Sequence, residues 1–201
     1  MIPDITYIVS CYAWPRQLVT LLASLAAQTH SNFEVLVTDN STDRGAIAAN
    51  RRAVKMFGAR FRYYHTAPHI RVSDCYWSAE YGRVYARGQW LCFPCDDCYY
   101  PPEWAQRMLG AAYARNLDLV LCEYNVTGPE PCGADRYMWL KLGTPSMPGY
   151  KPSFLVRADK FKGWVNMPRV PACSGVDRTT LRYLVKTLRW GVVHDLFYVH
   201  N

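Results

Sequence analysis

The strongest constraint on this chain is a switch of hydrophobic period that repeats through its first 125 residues. ITYIVS at 5–10 is a short β-branched and aromatic run. After Pro15, PRQLVTLLASLAAQ places Leu18, Leu21, Leu22 and Leu25 at i, i+3, i+4 and i+7. The first pattern suits a strand and the second an amphipathic helix with proline in its first turn. The alternation continues with FEVLVTD (33–39) as strand, RGAIAANRRAVKMF (44–57) as helix and RFRYYH (60–65) as strand. SDCYWSAEYGRVYAR (73–87) then opens on a serine N-cap, puts Trp77, Tyr81 and Val84 on one face and stops at Gly88. QWLCF (89–93), PEWAQRMLGAAYAR (102–115) and LDLVLCEYNV (117–126) give strand, helix and strand. Repeated βα units predict an α/β fold with a mostly parallel central sheet flanked by helices.

Residues 126–176 break the pattern, since more than half of the prolines and half of the glycines fall there with little periodicity. That stretch is expected to be loop-rich and to lie over one edge of the sheet. VDRTTLRYLVKTLRW (176–190) restores helical spacing through Leu181, Leu184, Val185 and Leu188, and GVVHDLFYVH (191–200) is strand-like. With 201 residues, half of them hydrophobic, the chain can bury a substantial core, and a single domain over 1–201 is expected.

The 23 Lys and Arg outnumber the 16 Asp and Glu, giving a net charge of +7. This excess suits an anionic partner: a nucleotide, a phospholipid surface or nucleic acid. The longest apolar run, 18–27, is interrupted by Thr20 and Ser24, and is about half of what a membrane span needs. The opening MIPDITYIVS has no basic segment followed by a long apolar one, so a cytoplasmic location is expected. The eight cysteines are then expected as reduced thiols.

One segment, LCFPCDDCYY (91–100), sets Cys92, Cys95 and Cys98 around the adjacent carboxylates Asp96 and Asp97. Cys92 falls inside a predicted strand and no fourth cysteine follows at a matching distance, whereas zinc sites usually pair two separated C-x-x-C units. The carboxylates have more to offer. In open α/β sheets ligands bind beyond the carboxyl ends of the strands. Three predicted strands end in polar residues: Ser10 and Tyr12, Asp39 to Asp43, and Asp96 with Asp97. Neighbouring carboxylates repel unless a cation sits beside them, and oxygen donors favour magnesium or manganese. The competing reading of Asp96 and Asp97 is a solvated turn at a helix start.

PDITYIVSCYAWPRQLVTLLASLAAQTHSNFEVLVTDNSTD, ARGQWLCFPCDDCYYPPEW, SFLVRADKFKGW and the closing helix together resemble glycosyltransferase family 2 over nearly the whole chain. The resemblance implies the GT-A fold and an inverting, metal-dependent transfer of a sugar from a nucleotide-diphosphate donor, expected to be UDP-linked. Residues 1–100 would form the nucleotide-sugar-binding half and 101–201 the acceptor side. By position, Tyr12 would stack on the base with Ser10 nearby, and Asp39 would hydrogen-bond the base edge. Asp96 would meet the ribose or sugar, and Asp97 would ligate Mn2+ or Mg2+. The family's further Asp two residues before Asp96 is here Pro94, and Asn40 replaces a frequent second Asp after Asp39.

Inverting transfer needs a base opposite the leaving group. The family places an acidic pair at the start of the last long helix, where this chain has Val176 and Asp177, so Asp177 is the candidate base. His200 stands where related enzymes often carry a histidine that reaches the metal or diphosphate, with His194 as its competitor; Arg71 could meet the base or a phosphate. Arg178, Arg182, Lys186 and Arg189 form a basic stripe suited to a solvated face, to acidic head groups or to an anionic acceptor. The implied acceptor is a glycan or a lipid-linked saccharide, with peripheral membrane contact.

Two other classes stay open. A nucleotidyltransferase brings a glycine-rich loop after its first strand, and SCYAWPRQ has no glycine. A nucleic-acid-binding module suits the positive charge and the 15 tyrosines, although no recognised motif appears. A transferase that modifies nucleic acid would combine the readings.

Overall fold

The computed structural model describes residues 1–66, 74–126, 154–163 and 176–200. Its elements run β1 (Ile5–Cys11), α1 (Pro15–Ala26), β2 (Phe33–Asp39), α2 (Arg44–Lys55), β3 (Phe61–His65), α3 (Asp74–Tyr85), β4 (Trp90–Cys92), β5 (Cys98–Tyr99), α4 (Trp104–Ala114), β6 (Leu119–Val126), β7 (Phe154–Arg157), α5 (Val176–Thr187) and β8 (Trp190–His200). All eight strands join one sheet in the order β3-β2-β1-β4-β7-β6-β8-β5. The chain builds outward from β1 to β3, then returns to place β4 on the other side of β1. That reversal creates a switch point between β1 and β4, where open sheets hold their ligands.

β1 pairs in parallel with both β2 and β4, and β6 pairs in parallel with β8. Both faces of β1 and β2 are covered, which is why their sequences read as near-continuous apolar runs. Ile5, Tyr7, Val9 and Cys11 point into one core with Val35, Val37, the α1 leucines and Trp104 of α4. Ile8 points into the other with Ala79 of α3, Leu91, Phe154 and the α5 residues Leu181 and Leu184. The result is a sheet between two helical layers.

Two features differ from the sequence expectation. β7 lies within the stretch read as loop-rich, yet it pairs antiparallel with β4 and with β6 near the middle of the sheet. Its four residues are too few to show a period. On α3, Tyr81 and Val84 are exposed, the Trp77 side chain lies outside the described residues, and the helix packs through Ser78, Ala79 and Gly82. A Cβ on Gly82 would lie 2.5 Å from Ile8 Cγ2, so a larger face could not seat this helix on β1.

Glu34, 2% exposed on β2, is the main buried charge of this face. It accepts from Thr6 Oγ1 at 2.8 Å, from Arg87 through the backbone amide and guanidinium, and from Arg62 at 2.7 Å. Burial alone would raise its pKa, but the Arg87 hydrogen bonds lead a set of interactions that hold it below the usual carboxylate range. Arg189, the last of the four basic positions near the C-terminal helix, turns back to Asp118 at 3.0 Å. Among the described residues no helix is long and apolar enough to cross a membrane.

Candidate active site

The site forms where β1, β2 and β4 end. β1 continues past Ser10 alongside the segment leaving β4: Ser10 and Cys95 form a parallel bridge, and the Ser10 amide donates to the Pro94 carbonyl at 3.3 Å. This keeps the turn carrying Asp96 and Asp97 beside the loop after β1. The Tyr12 amide donates to Asp96 Oδ2 at 2.9 Å, while Tyr12 as a residue is 52% exposed. Tyr12 is therefore not a core aromatic. Trp14, 51% exposed, stands close to it in the chain and was not singled out in the sequence.

Ala13 adopts φ 57, a left-handed conformation that a residue with a Cβ rarely takes. Its amide donates to Ser41 Oγ at 2.8 Å. Ser41 in turn donates through its amide at 2.8 Å, and through its hydroxyl, to Asp39 Oδ1. Ser41 thus ties the loop after β1 to the end of β2.

Asp39 itself is fully buried. Its Oδ2 accepts from Asn50 Nδ2 at 3.0 Å and from the Tyr63 hydroxyl at 2.6 Å. Burial, and then the Asp39 hydrogen bond, hold the Tyr63 phenol far above its usual range. Asn50 and Tyr63 escaped the sequence reading. Asn50 left a signal: it is a polar residue on the α2 face that otherwise buries Ala53 and Val54.

Asp96 is pushed up to about 7, chiefly by desolvation, with the Asp97 and Asp39 charges adding to the rise and the Tyr12 amide opposing it. Asp39, Asp96 and Asp97 thus share one electrostatic neighbourhood. No cationic side chain pairs with Asp96 among the described residues. Adjacent oxygen donors of like charge suit a hard divalent cation. Among the described residues no group of three His, Cys, Asp or Glu side chains is arranged to hold one.

Strand register adds His200. β5 and β8 pair antiparallel with Cys98 opposite His200, which brings that backbone position next to the residue following Asp97. Asp177 lies in the first turn of α5. The side chains of Asp177 and His200 fall outside the described residues, as does Arg71 entirely. His194 lies on β8, and its carbonyl accepts from Arg107 at 3.1 Å.

The thiols are structural neighbours of this site. Cys92 is buried in β4, and burial holds its pKa far above the usual thiol range. Its sulfur lies 3.9 Å from the Tyr100 hydroxyl. None of the five described cysteines is in a disulfide.

A family model, Glycosyl transferase family 2, matches residues 6–184. No curated protein matches the chain. Among solved structures, S. aureus TarS 1-349 in complex with UDP is similar at a TM-score of 0.72 and 19% identity, with 98% of this chain and 60% of that one covered. A mannosyltransferase, PcManGT from Pyrobaculum calidifontis, in complex with GDP-Man and Mn2+, is similar at 0.68 and 15%, covering 100% and 57%. Glucosyl-3-phosphoglycerate synthase from Mycobacterium tuberculosis, in complex with Mn2+, UDP and glucosyl-3-phosphoglycerate, is similar at 0.69 and 14%, covering 99% and 72%. This chain therefore spans about three-fifths of the TarS and mannosyltransferase chains.

Proposed function

Because the chain belongs to glycosyl transferase family 2 and has the GT-A fold, we propose that it transfers a sugar from a nucleoside-diphosphate donor to an acceptor hydroxyl with inversion. The observation that supports this most is the meeting of Tyr12, Asp39 and Asp96 where three adjacent parallel strands end, beside the switch point of the sheet. UDP is the expected donor nucleotide, as it is the one held by TarS and by the mycobacterial synthase. The acceptor is expected to be a glycan or a lipid-linked saccharide, with peripheral membrane contact.

Each residue then has a role. The exposed Tyr12 ring stacks on the base, next to Ser10, and Asp39 meets the base edge. To do so, the Asp39 carboxylate exchanges one of its present donors, Ser41 or Tyr63, for a base N–H. Asp96 receives the ribose or sugar hydroxyls, and Arg71 meets the base or a phosphate. Asp97, joined by His200 from the adjoining strand, would hold Mn2+ or Mg2+. When bound, the cation supplies positive charge to the leaving diphosphate. Asp177 removes the acceptor proton as the hydroxyl attacks the anomeric carbon, on the face opposite that leaving group.

The test is release of UDP from a panel of UDP-sugars, with and without manganese. Metal-dependent turnover by the wild type, together with loss of about 10²–10⁴-fold in Asp177→Asn at unchanged donor binding, supports the reading. Near wild-type turnover in Asp177→Asn removes that residue from the role of base. Absence of any metal-dependent binding of a nucleotide sugar overturns the function.

A further inference from the structure

Cys95 and Cys98 bracket the two carboxylates of the acidic turn, and the proposed reaction gives these thiols no task. The segment 95–98 is a hydrogen-bonded turn, with the Cys98 amide donating to the Cys95 carbonyl at 3.1 Å. A turn closed in this way holds its first and last Cα atoms within about 7 Å. Disulfides span Cα separations of about 4.4–6.8 Å. Within this turn the Cys98 thiol donates to Asp97 Oδ1 at 3.9 Å. Both ends of the turn are anchored, since Cys95 bridges to Ser10 of β1 and Cys98 pairs with His200 of β8.

The two thiols differ in access. Cys98 is 1% exposed, whereas Cys95 is partly exposed. An outside reagent meets Cys95 first, and Cys98 is placed to resolve what forms there. Cys11, also buried, instead accepts from Asn50 Nδ2 at 3.7 Å.

We propose that Cys95 and Cys98 are a reversible thiol-modification site, closing to a disulfide across Asp96 and Asp97 in the presence of a low-molecular-weight disulfide. In the first step the Cys95 sulfur attacks the reagent RSSR, forming a Cys95–SR mixed disulfide and releasing one RSH. In the second, the Cys98 sulfur attacks Cys95, forming the intramolecular bond and releasing the second RSH. The two protein thiol protons leave on the two RSH molecules. The reagent is reduced by two electrons as the thiol pair is oxidised.

Closure brings the sulfurs to a covalent S–S separation of about 2 Å and takes the Cys98 thiol from Asp97. Asp96, inside this turn, accepts from the Tyr12 amide, so closure shifts the carboxylates relative to the loop after β1. The bond between the cysteines stands on the turn geometry alone. Its effect on ligand binding rests on the proposed nucleotide site.

The experiment treats the purified protein with oxidised glutathione, alkylates remaining thiols, and locates the linkage by peptide mass mapping. In parallel, the melting temperature is recorded with manganese and UDP before oxidation, after it, and after reduction with dithiothreitol. The expected result is a Cys95–Cys98 linkage, with loss of the ligand-induced shift and its return on reduction. Cys98→Ser is expected to stop at the glutathione adduct on Cys95. Oxidation that leaves both cysteines alkylatable, or that joins either one to a different cysteine, overturns the modification site. A formed linkage with an unchanged ligand shift overturns its regulatory effect. If the reduced protein shows no shift with manganese and UDP, the nucleotide site fails, while the mass map still decides the disulfide.

Discussion

The Tyr12 backbone amide donates to the Asp96 carboxylate at 2.9 Å, joining the loop after β1 to the turn after β4. This contact crosses the point where the strand order reverses, and it joins the exposed Tyr12 to a largely desolvated carboxyl. Asp96 is raised from 3.8 to about 7, mainly by burial. In the metal-free protein it keeps a proton that the unfolded chain has already lost. Its contribution to stability therefore declines as pH rises from 3.8 towards 7. A cation favours the ionised form, so manganese-dependent UDP affinity should rise with pH up to about 7 and then level off. Asp96→Asn should flatten that rise. Calorimetric titration of UDP with manganese across this pH range measures both outcomes.

The buried Asp39 should depend on its donors more than on any single contact. Tyr63→Phe removes one of the donors to Oδ2 without changing the shape of the side chain. Leaving a buried acceptor short of a partner costs about 1–3 kcal/mol. Asn50→Ala should cost a similar amount, because it removes the second donor to the same oxygen. Urea unfolding monitored by tryptophan fluorescence gives the difference, and equal midpoints for wild type and both variants would contradict the network.

Glu34 makes an acid-side prediction of the opposite sign. Its pKa is depressed in the folded state, so the stability it contributes is present above the unfolded value and is lost as pH falls through the folded one. Glu34→Gln should destabilise the protein by about 2 kcal/mol at neutral pH, discounted from the value for a fully buried pair because Arg87 is largely exposed. It should also soften the acid side of the stability profile, which a series of thermal melts at decreasing pH records.

Close packing between α3 and the sheet predicts sensitivity at two glycines. Gly82→Ala forces a Cβ to 2.5 Å from Ile8 Cγ2, and Gly88→Ala forces one to 2.5 Å from the Thr6 amide nitrogen. Overpacking of this kind costs about 1–3 kcal/mol. The Gly88 variant should be the worse, because its neighbour is backbone and cannot rotate away. Chemical denaturation of the two variants side by side checks the ranking.

The first half of the fold could be read from the chain because β1, α1 and β2 show long, uninterrupted periods and because Pro15 marks a helix start. The convergence of Tyr12, Asp39 and Asp96 followed from strand ends alone. β7 could not be read, since four residues among prolines and glycines have no period and owe their place to pairing with β4 and β6. β5 is shorter still, two residues fixed by β8. Which face of α3 meets the sheet was not legible, because the space against Ile8 admits only a glycine. Tyr63 gave no signal, for its role as an Asp39 donor exists only once β3 pairs beside β2.

The proposed function requires carboxylates at the strand ends to hold a nucleoside diphosphate through a divalent cation. The most direct measurement is the change in melting temperature on adding UDP with manganese, in wild type and in Asp97→Ala. The expected result is a rise in the wild type that vanishes without the metal and is absent in the variant, whose unliganded melting temperature stays close to that of the wild type. An equal, metal-independent rise in both proteins, or none in the wild type, would contradict it.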